Sequence, residues 1–306
     1  AHDFIAAMPG GYDAPVGDLQ AHWKYAAQTL DPFTYPDDPR ILNSLESTFI
    51  RYIAGKKFMF LTNMYTEFVC VYRFDGEIAV PCAFLCADWD GQWEKYSWQI
   101  DKRPTGSRWM WRDNNGDGQM QASEFTPYDL GYPYIKGLDI DKEGNISIAG
   151  RVLNYFPANG LDSNGVPNYS AATHVKYSAP FTNGGGDMTR MKYVDETDIM
   201  YFGTGSDYPY FTEIVRFRNW KKGGRIAETL RIGKPSISFT ADDKYIYLNV
   251  GKEGFYTKKM AEIDIWDAEN LDPIGYILPG PEVNNFSGML DLSYAIKASK
   301  LPTGER

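Results

Sequence analysis

The sequence predicts an all-β protein: a β-propeller of five to six four-stranded blades with a short N-terminal helical extension. Three observations carry this. Hairpin-like segments recur at a nearly fixed spacing, their strands alternate apolar and polar residues, and helical patterning is confined to the first 40 residues.

The repeat is clearest in three segments: EFVCVYRFDGEIAVP from Glu67, EIVRFRNWKKGGRIAETL from Glu213 and EIDIWDAENLDPIGYI from Glu262. Each reads as a strand, a turn rich in Gly, Asp, Asn or Lys, and a second strand. The last two start 49 residues apart (213 to 262), and the first two start 146 apart (67 to 213), close to three such periods. A second family of hairpins precedes them: FIRYIAGKKFMFLTN, GLDIDKEGNISIAG, TRMKYVDETDIMYFGTG and SISFTADDKYIYLNVG. Two hairpins per period make a four-stranded antiparallel unit, the content of a propeller blade. One such sheet buries too little by itself, so the units must stack. The domain organisation expected is a helical and extended segment over 1–40, then a propeller over 41–306.

In the first segment, GDLQAHWKYAAQTL sets Leu19, Trp23, Ala26, Ala27 and Leu30 on one helical face, with Asp18 as N-cap. The proline-rich DPFTYPDDPR that follows is extended. A helical plug or lid against the propeller is the expectation.

Residues 113–124, DNNGDGQMQASE, carry the most specific motif in the chain. A twelve-residue calcium loop takes oxygen ligands at positions 1, 3, 5, 7, 9 and 12, with glycine at 6 for the sharp turn. Those positions are Asp113, Asn115, Asp117, Gln119, Gln121 and Glu124, with Gly118 at the bend. Asp113, Asn115 and Asp117 offer side-chain oxygens, Gln119 its carbonyl, Gln121 an oxygen directly or through water, and Glu124 both carboxylate oxygens. The flanks SRWMWR and EFTPYDLGYPY are strand-like and proline-broken, so the helices of a paired EF-hand are not expected. Counting 49 residues on from Glu67 reaches this loop, which makes RWMWRDNNGDGQMQASEF the outer hairpin of a second blade with its turn enlarged into a metal cage. Another period on, 151–177 is looser and carries an excursion marked by Asn159-Gly160 and Asn164-Gly165.

Composition narrows the function classes. A net charge of −9 disfavours nucleic acid as a partner. No run of apolar residues is long enough for a membrane-spanning helix. Aromatic residues are 15 % of the chain, an excess that sheet packing explains better than stacking on sugar rings. Cys70, Cys82 and Cys86 have no zinc or haem spacing and read as small buried hydrophobes; Cys82 and Cys86 pair only if their strand bends. The three histidines, His2, His22 and His174, form no metal-spaced pair, and His174 reads as packing or surface. TNGGGDMTRM and FGTGSDYPYF are short polar loops in which Asp187, Arg190 and Asp207 are candidates for a ligand pocket. A lone calcium loop without a switch partner suits an extracellular, cell-surface or periplasmic protein.

With WRDNNGDGQMQASE, FPANGLDSNGVPNYS, YPYFTEIVRFRNWKKGGRIAE and SGMLDLSYAIKASKLPTGER on view, the chain resembles bacterial extracellular NHL-like β-propeller proteins that carry an EF-hand-like calcium turn within a blade. The resemblance spans roughly residues 40–306. It implies Ca2+ as cofactor and a surface or secreted binding and scaffold role, and it brings no catalytic residues. The expected function is an exported, calcium-stabilised binding or assembly module whose partner is a protein, another copy, or a carbohydrate. The alternative is an extracellular carbohydrate-active enzyme, a polysaccharide lyase or glycoside hydrolase, with its site on one propeller face.

Overall fold

Strand pairing begins with a hairpin at the N-terminus and continues as a chain of meanders. The computed structural model describes residues 4–7, 24–41, 45, 47–63, 66–87, 101–104, 108–129, 135–178, 188–205, 210–224, 227–250, 262–278, 296–298, 300 and 303–306. Every described sheet is antiparallel and joins consecutive strands, and the described helices are single 3-10 turns.

The predicted N-terminal helix is replaced by a strand. Strand β2 (Lys24–Gln28) pairs with β1 (Phe4–Ala7), so Ala26 and Ala27 are extended, while Asp18, Leu19 and Trp23 lie outside the described residues. A short isolated helix is marginal in water, and here pairing with β1 supplies the backbone bonds instead. The segment that follows docks on the first sheet: Ala79 N donates to Thr29 O at 2.8 Å. Beneath that contact the Asp38–Arg40 ion pair (2.6 Å) is fully buried. Arg40 also donates to the carbonyl of Ala79 (2.8 Å) and lies 4.4 Å from the centre of the Tyr72 ring, whose hydroxyl donates to Asp38 (3.0 Å).

The first sheet holds β3 (Ser47–Ile53), β4 (Lys56–Thr62), β5 (Phe68–Asp75), β6 (Ile78–Cys86), β7 (Trp109–Arg112) and β8 (Phe125–Pro127). The second holds β9 (Ile135–Ile140), β10 (Ile146–Gly150), β11 (Val152–Phe156) and β12 (Val175–Ser178). The last runs from β13 (Arg190–Val194) through β14 (Ile199–Thr204), β15 (Phe211–Arg218), β16 (Ala227–Ala241), β17 (Tyr245–Val250) and β18 (Ile263–Asp267) to β19 (Pro273–Ile277).

This seven-stranded sheet is two four-stranded units sharing one long strand. Residues 227–231 of β16 pair with β15, and 236–241 pair with β17, with only the Phe211–Ser236 pair crossing the junction. The junction is Gly233-Lys234-Pro235, where Gly233 has a φ of +70° and proline offers no N–H to a ladder. Equivalent strands then recur at 46 residues, from Ile199 to Tyr245.

Four such units are present among the described residues, against the five to six expected. The excess came from two hairpins that do not found blades of their own. The calcium-type hairpin β7–β8 is the fifth and sixth strand of the first sheet, because residues 83–86 of β6 pair with β5 on one side and β7 on the other. The looser segment 151–177 is the outer hairpin of the second unit. The inner and outer hairpins read from the sequence are otherwise where the repeat put them.

The cores lie between units. Phe58, Phe60, Val71 and Leu85 of the first pack with Leu138, Ile146 and Phe156 of the second. Leu153 of the second packs with Met191, Phe202 and Trp220 of the third, and Tyr201 and Ile214 of the third with Phe239 and Leu248 of the fourth. Central strands covered on both faces lose their alternation, as in β6, buried from Ala79 to Cys86. All three cysteines, Cys70 on β5 and Cys82 and Cys86 on β6, are free and buried, so Cys82 and Cys86 do not pair.

First strands sit beside one another. Arg51 Nε of β3 donates to Ile140 O (2.7 Å), Tyr193 N of β13 donates to Asp139 of β9 (2.7 Å), and Arg190 Nε donates to Ile237 O (2.9 Å). These are blade-like units stacked face to face with inner strands aligned in one direction. The turns closing strands one to two and three to four therefore share one end of the molecule, excursion 157–174 among them, and loop 113–124, which closes strands five to six of the first sheet, lies at that same end.

Candidate metal centre

Loop 113–124 is organised by its first residue. The Asp113 carboxylate, fully buried, accepts from Gly116 N (2.8 Å) and Gly118 N (2.9 Å). Both glycines have positive φ, and a Cβ on Gly118 would fall 2.6 Å from Val80 Cγ1 and 2.7 Å from the Tyr35 ring, so the bend needs glycine twice over. Arg73 anchors the turn from outside, donating to Gly116 O (2.7 Å).

At the far end Glu124, 6 % exposed, accepts from Trp111 Nε1 (2.9 Å) and Asn114 N (2.8 Å). Asp117 accepts from the Asn115 amide (2.9 Å), the Gln121 amide (2.8 Å) and Gln119 N (2.8 Å). No three carboxylate, imidazole or thiol groups converge on one point among the described residues. The donor set nevertheless suits a hard cation. Asp113 and Glu124 are buried carboxylates with no Lys, Arg or His at ion-pair distance among the described residues, and the buried Gln121 Oε1 has no hydrogen-bond partner. Burial pushes the Asp113 carboxyl above its ordinary range, the Gly118 and Gly116 N–H groups oppose this, and the Glu124 charge adds to it. Turning the Gln121 amide over would present its oxygen beside Asp117, where Asn115 Oδ1 already accepts from Asp117 N (3.0 Å).

The loop leans on the second unit. Arg112 Nη2 bonds Asp162 and Asn168 (3.0 Å to the latter), and its Nε bonds Pro167 O (2.8 Å). The Asn164 amide donates to Asn114 O (2.9 Å). Asp162 shapes its own turn, accepting from Asn164 N and Val166 N, both 2.9 Å. A cleft of about 360 Å3 lies between loop and excursion, lined by Arg112, Asn114, Glu124, Asn168 and Tyr169.

Of the other predicted site residues, Asp187 and Asp207 lie outside the described residues. Arg190 is 2 % exposed and its guanidinium is engaged with the carbonyls of Ile237 and Thr189, tying the third unit to the fourth. His174 stacks on Phe156 with ring centres 4.4 Å apart and bonds Asn154, a packing role. Burial, assisted by the Lys176 charge, lowers its pKa to about 4.

Two further clefts open at the loop-bearing end. One of about 630 Å3 runs between inner strands and their turns, past Arg51, Lys192, Asp195, Asp242 and Lys300. Another of about 320 Å3 lies between the second and third units, walled by Tyr155, Tyr177, Tyr193 and Trp220. Sequence reasoning missed the latter, whose residues come from six strands and two turns.

No protein-family model and no curated protein matches the chain. Among solved structures, the Myceliophteria thermophila Cps50 (Swd1) β-propeller domain aligns over 85 % of this chain and 78 % of that one, at 8 % identity and a TM-score of 0.41. Apo AztD from Citrobacter koseri aligns over 77 % and 73 %, at 10 % identity and 0.39. BamB from Moraxella catarrhalis aligns over 75 % and 63 %, at 8 % identity and 0.35. Likenesses of this size add nothing to the account of function.

Proposed function

We propose that the chain is an exported β-propeller, stabilised by Ca2+ in loop 113–124, that works as a binding or assembly module for a protein, another copy of itself or a carbohydrate. One observation carries the metal: Asp113 and Glu124 are buried carboxylates of one loop that form no ion pair among the described residues, Arg73 acting on Asp113 only from the neighbouring Gly116 carbonyl. Buried charges are ordinarily paired or metal-bound, and leaving two uncompensated is costly. Asp113, Asn115, Asp117 and Gln121 side chains, the Gln119 carbonyl and Glu124 supply the oxygens. The ion's role is architectural. It fixes a long turn against the 157–174 excursion and so sets the shape of the surface between them, which is the surface offered to a partner. The strands β7 and β8 that flank the loop hold it in a hairpin, which supports a constitutive site, one that suits a calcium-rich compartment outside the cell.

Calorimetric titration tests this. Ca2+ is expected to bind with one-to-one stoichiometry, Mg2+ far more weakly because it demands a tighter octahedral cage, and Glu124→Gln to lose most of the affinity. No heat of binding, or equal binding by Glu124→Gln, would remove the metal from the proposal.

A further inference from the structure

Asp139, Ser147 and Tyr155 form a polar row across three adjacent strands. Ser147 of β10 pairs in register with Asp139 of β9 on one side and Tyr155 of β11 on the other, so all three side chains leave the same face. That face looks at the third unit, and the space between is the cleft of about 320 Å3. Tyr193, Met200 and Trp220 form the facing wall, Tyr177 lies 5.9 Å from Trp220 ring to ring, and Lys221, with a side chain 39 % exposed, stands at the mouth. We propose that this cleft is a binding site for the ring of a neutral pyranose sugar.

Size, charge and hydrogen bonding lead to that ligand. The volume is at the lower end for small-molecule pockets and takes a single ring with its waters. Tyrosine and tryptophan faces offer flat apolar surface beside polar edges, which matches a ring that is C–H on its faces and hydroxyl around its rim. The Ser147 and Tyr155 hydroxyls make no hydrogen bond among the described residues, whereas the cleft's carboxylates, Asp139 and Asp141, are fixed acceptors. Burial pushes the Tyr155 phenol up to about 12, so it remains a donor at neutral pH.

The charges reject other ligands. Asp139 and Asp141 line the cleft, and the Lys221 ammonium is already held by Glu143 (2.7 Å) with Asp195 at 3.5 Å and Asp141 at 3.6 Å, so an anion finds no free positive group. A cation meets that same ammonium, 5.0 Å from the centre of the Tyr193 ring, where an aromatic cage would seat its guest. A neutral polyol is left.

This deepens the binding-module reading by naming a site and a ligand class, and it is independent of the metal. The test is calorimetric and saturation-transfer NMR titration of the calcium-loaded protein with methyl glucoside, galactoside and mannoside, with glucuronate and choline as charged probes. At least one neutral glycoside is expected to bind with a Kd of about 1 mM or lower, the range open to so small a ligand. Tyr155→Ala is expected to weaken it at least tenfold and Tyr155→Phe by less, with unfolding midpoints of both variants checked first. The proposal is overturned if no neutral glycoside binds, if glucuronate or choline binds more tightly, or if Tyr155→Ala binds as the parent does. Calcium binding without sugar binding overturns this site alone; sugar binding without calcium overturns the metal alone.

Discussion

Arg112 and Asp162, fifty residues apart in sequence, form an ion pair that joins the calcium-type loop to the excursion of the next unit. Both side chains are largely shielded, and the guanidinium also holds Asn168 and the Pro167 carbonyl. Through this pair the turn of one sheet is positioned by the turn of another.

Arg112→Ala should therefore cost more than a surface ion pair. Several charge-assisted hydrogen bonds disappear and Asp162 is left without its cation, for a loss of about 2–3 kcal/mol. Urea unfolding measures it, and calcium affinity should fall in the same variant because Asn114 and Glu124 lie directly beyond Arg112. An unchanged midpoint would mean the two turns fold independently.

Acid should loosen the same contact. Burial raises the Asp162 carboxyl, but the Val166 N–H and Arg112 outweigh it and hold it below its ordinary range. A depressed folded pKa contributes stability that is present above the unfolded value and lost as pH falls through the folded one. The loss belongs below the usual carboxylate range and should be absent in Asp162→Asn, as read from denaturant midpoints at pH 5 and pH 3.

His174 titrates in a higher window. Its folded pKa, about 4, is below the free imidazole value because burial disfavours the charged ring. Folding therefore favours the neutral form. Stability is full above about 6.5 and declines as pH falls from there to about 4. His174→Gln should flatten that slope in stability measured from pH 7 to pH 4.5, whereas Asp162→Asn should leave it intact.

At the N-terminal segment, Arg40→Ala should cost about 3–5 kcal/mol, since it strands the buried Asp38 carboxylate. Limited proteolysis should then cut within 29–41, while the double change Asp38→Asn with Arg40→Met should recover much of the loss. Equal loss in the single and double variants would contradict the pairing argument.

Much of the fold was legible because hairpin turns repeat a local chemistry. Asp141 accepts from Glu143 N and Asn145 N, and Asp242 does the same for Lys244 N and Tyr245 N, so Asp at the strand end marks an inner turn. Blade number was not legible. A period counted from Glu67 reaches the 113–124 loop equally whether its hairpin starts a blade or extends one, and only the pairing of β6 with β7 decides. The apolar spacing around Ala26 and Ala27 suits a helix, but the partner strand β1 was invisible to local pattern. The turn of the loop was readable because its spacing is local: Asp113 and the glycines at 116 and 118 show in sequence as they bond in the fold. The aromatic cleft was not, since Tyr155 and Lys221 read separately as a strand residue and a turn residue, and stacking of two units brings them together.

The proposed cation completes the 113–124 loop and thereby stabilises the fold. The most direct measurement is the thermal midpoint of the protein in excess EDTA and with Ca2+ at about one hundred times its Kd. Linkage then gives about 2.7 kcal/mol, and a chain of this size should gain roughly 4 °C. Asp113→Asn and Glu124→Gln should abolish the gain. Identical midpoints with and without calcium, in a protein that unfolds reversibly, would contradict the account.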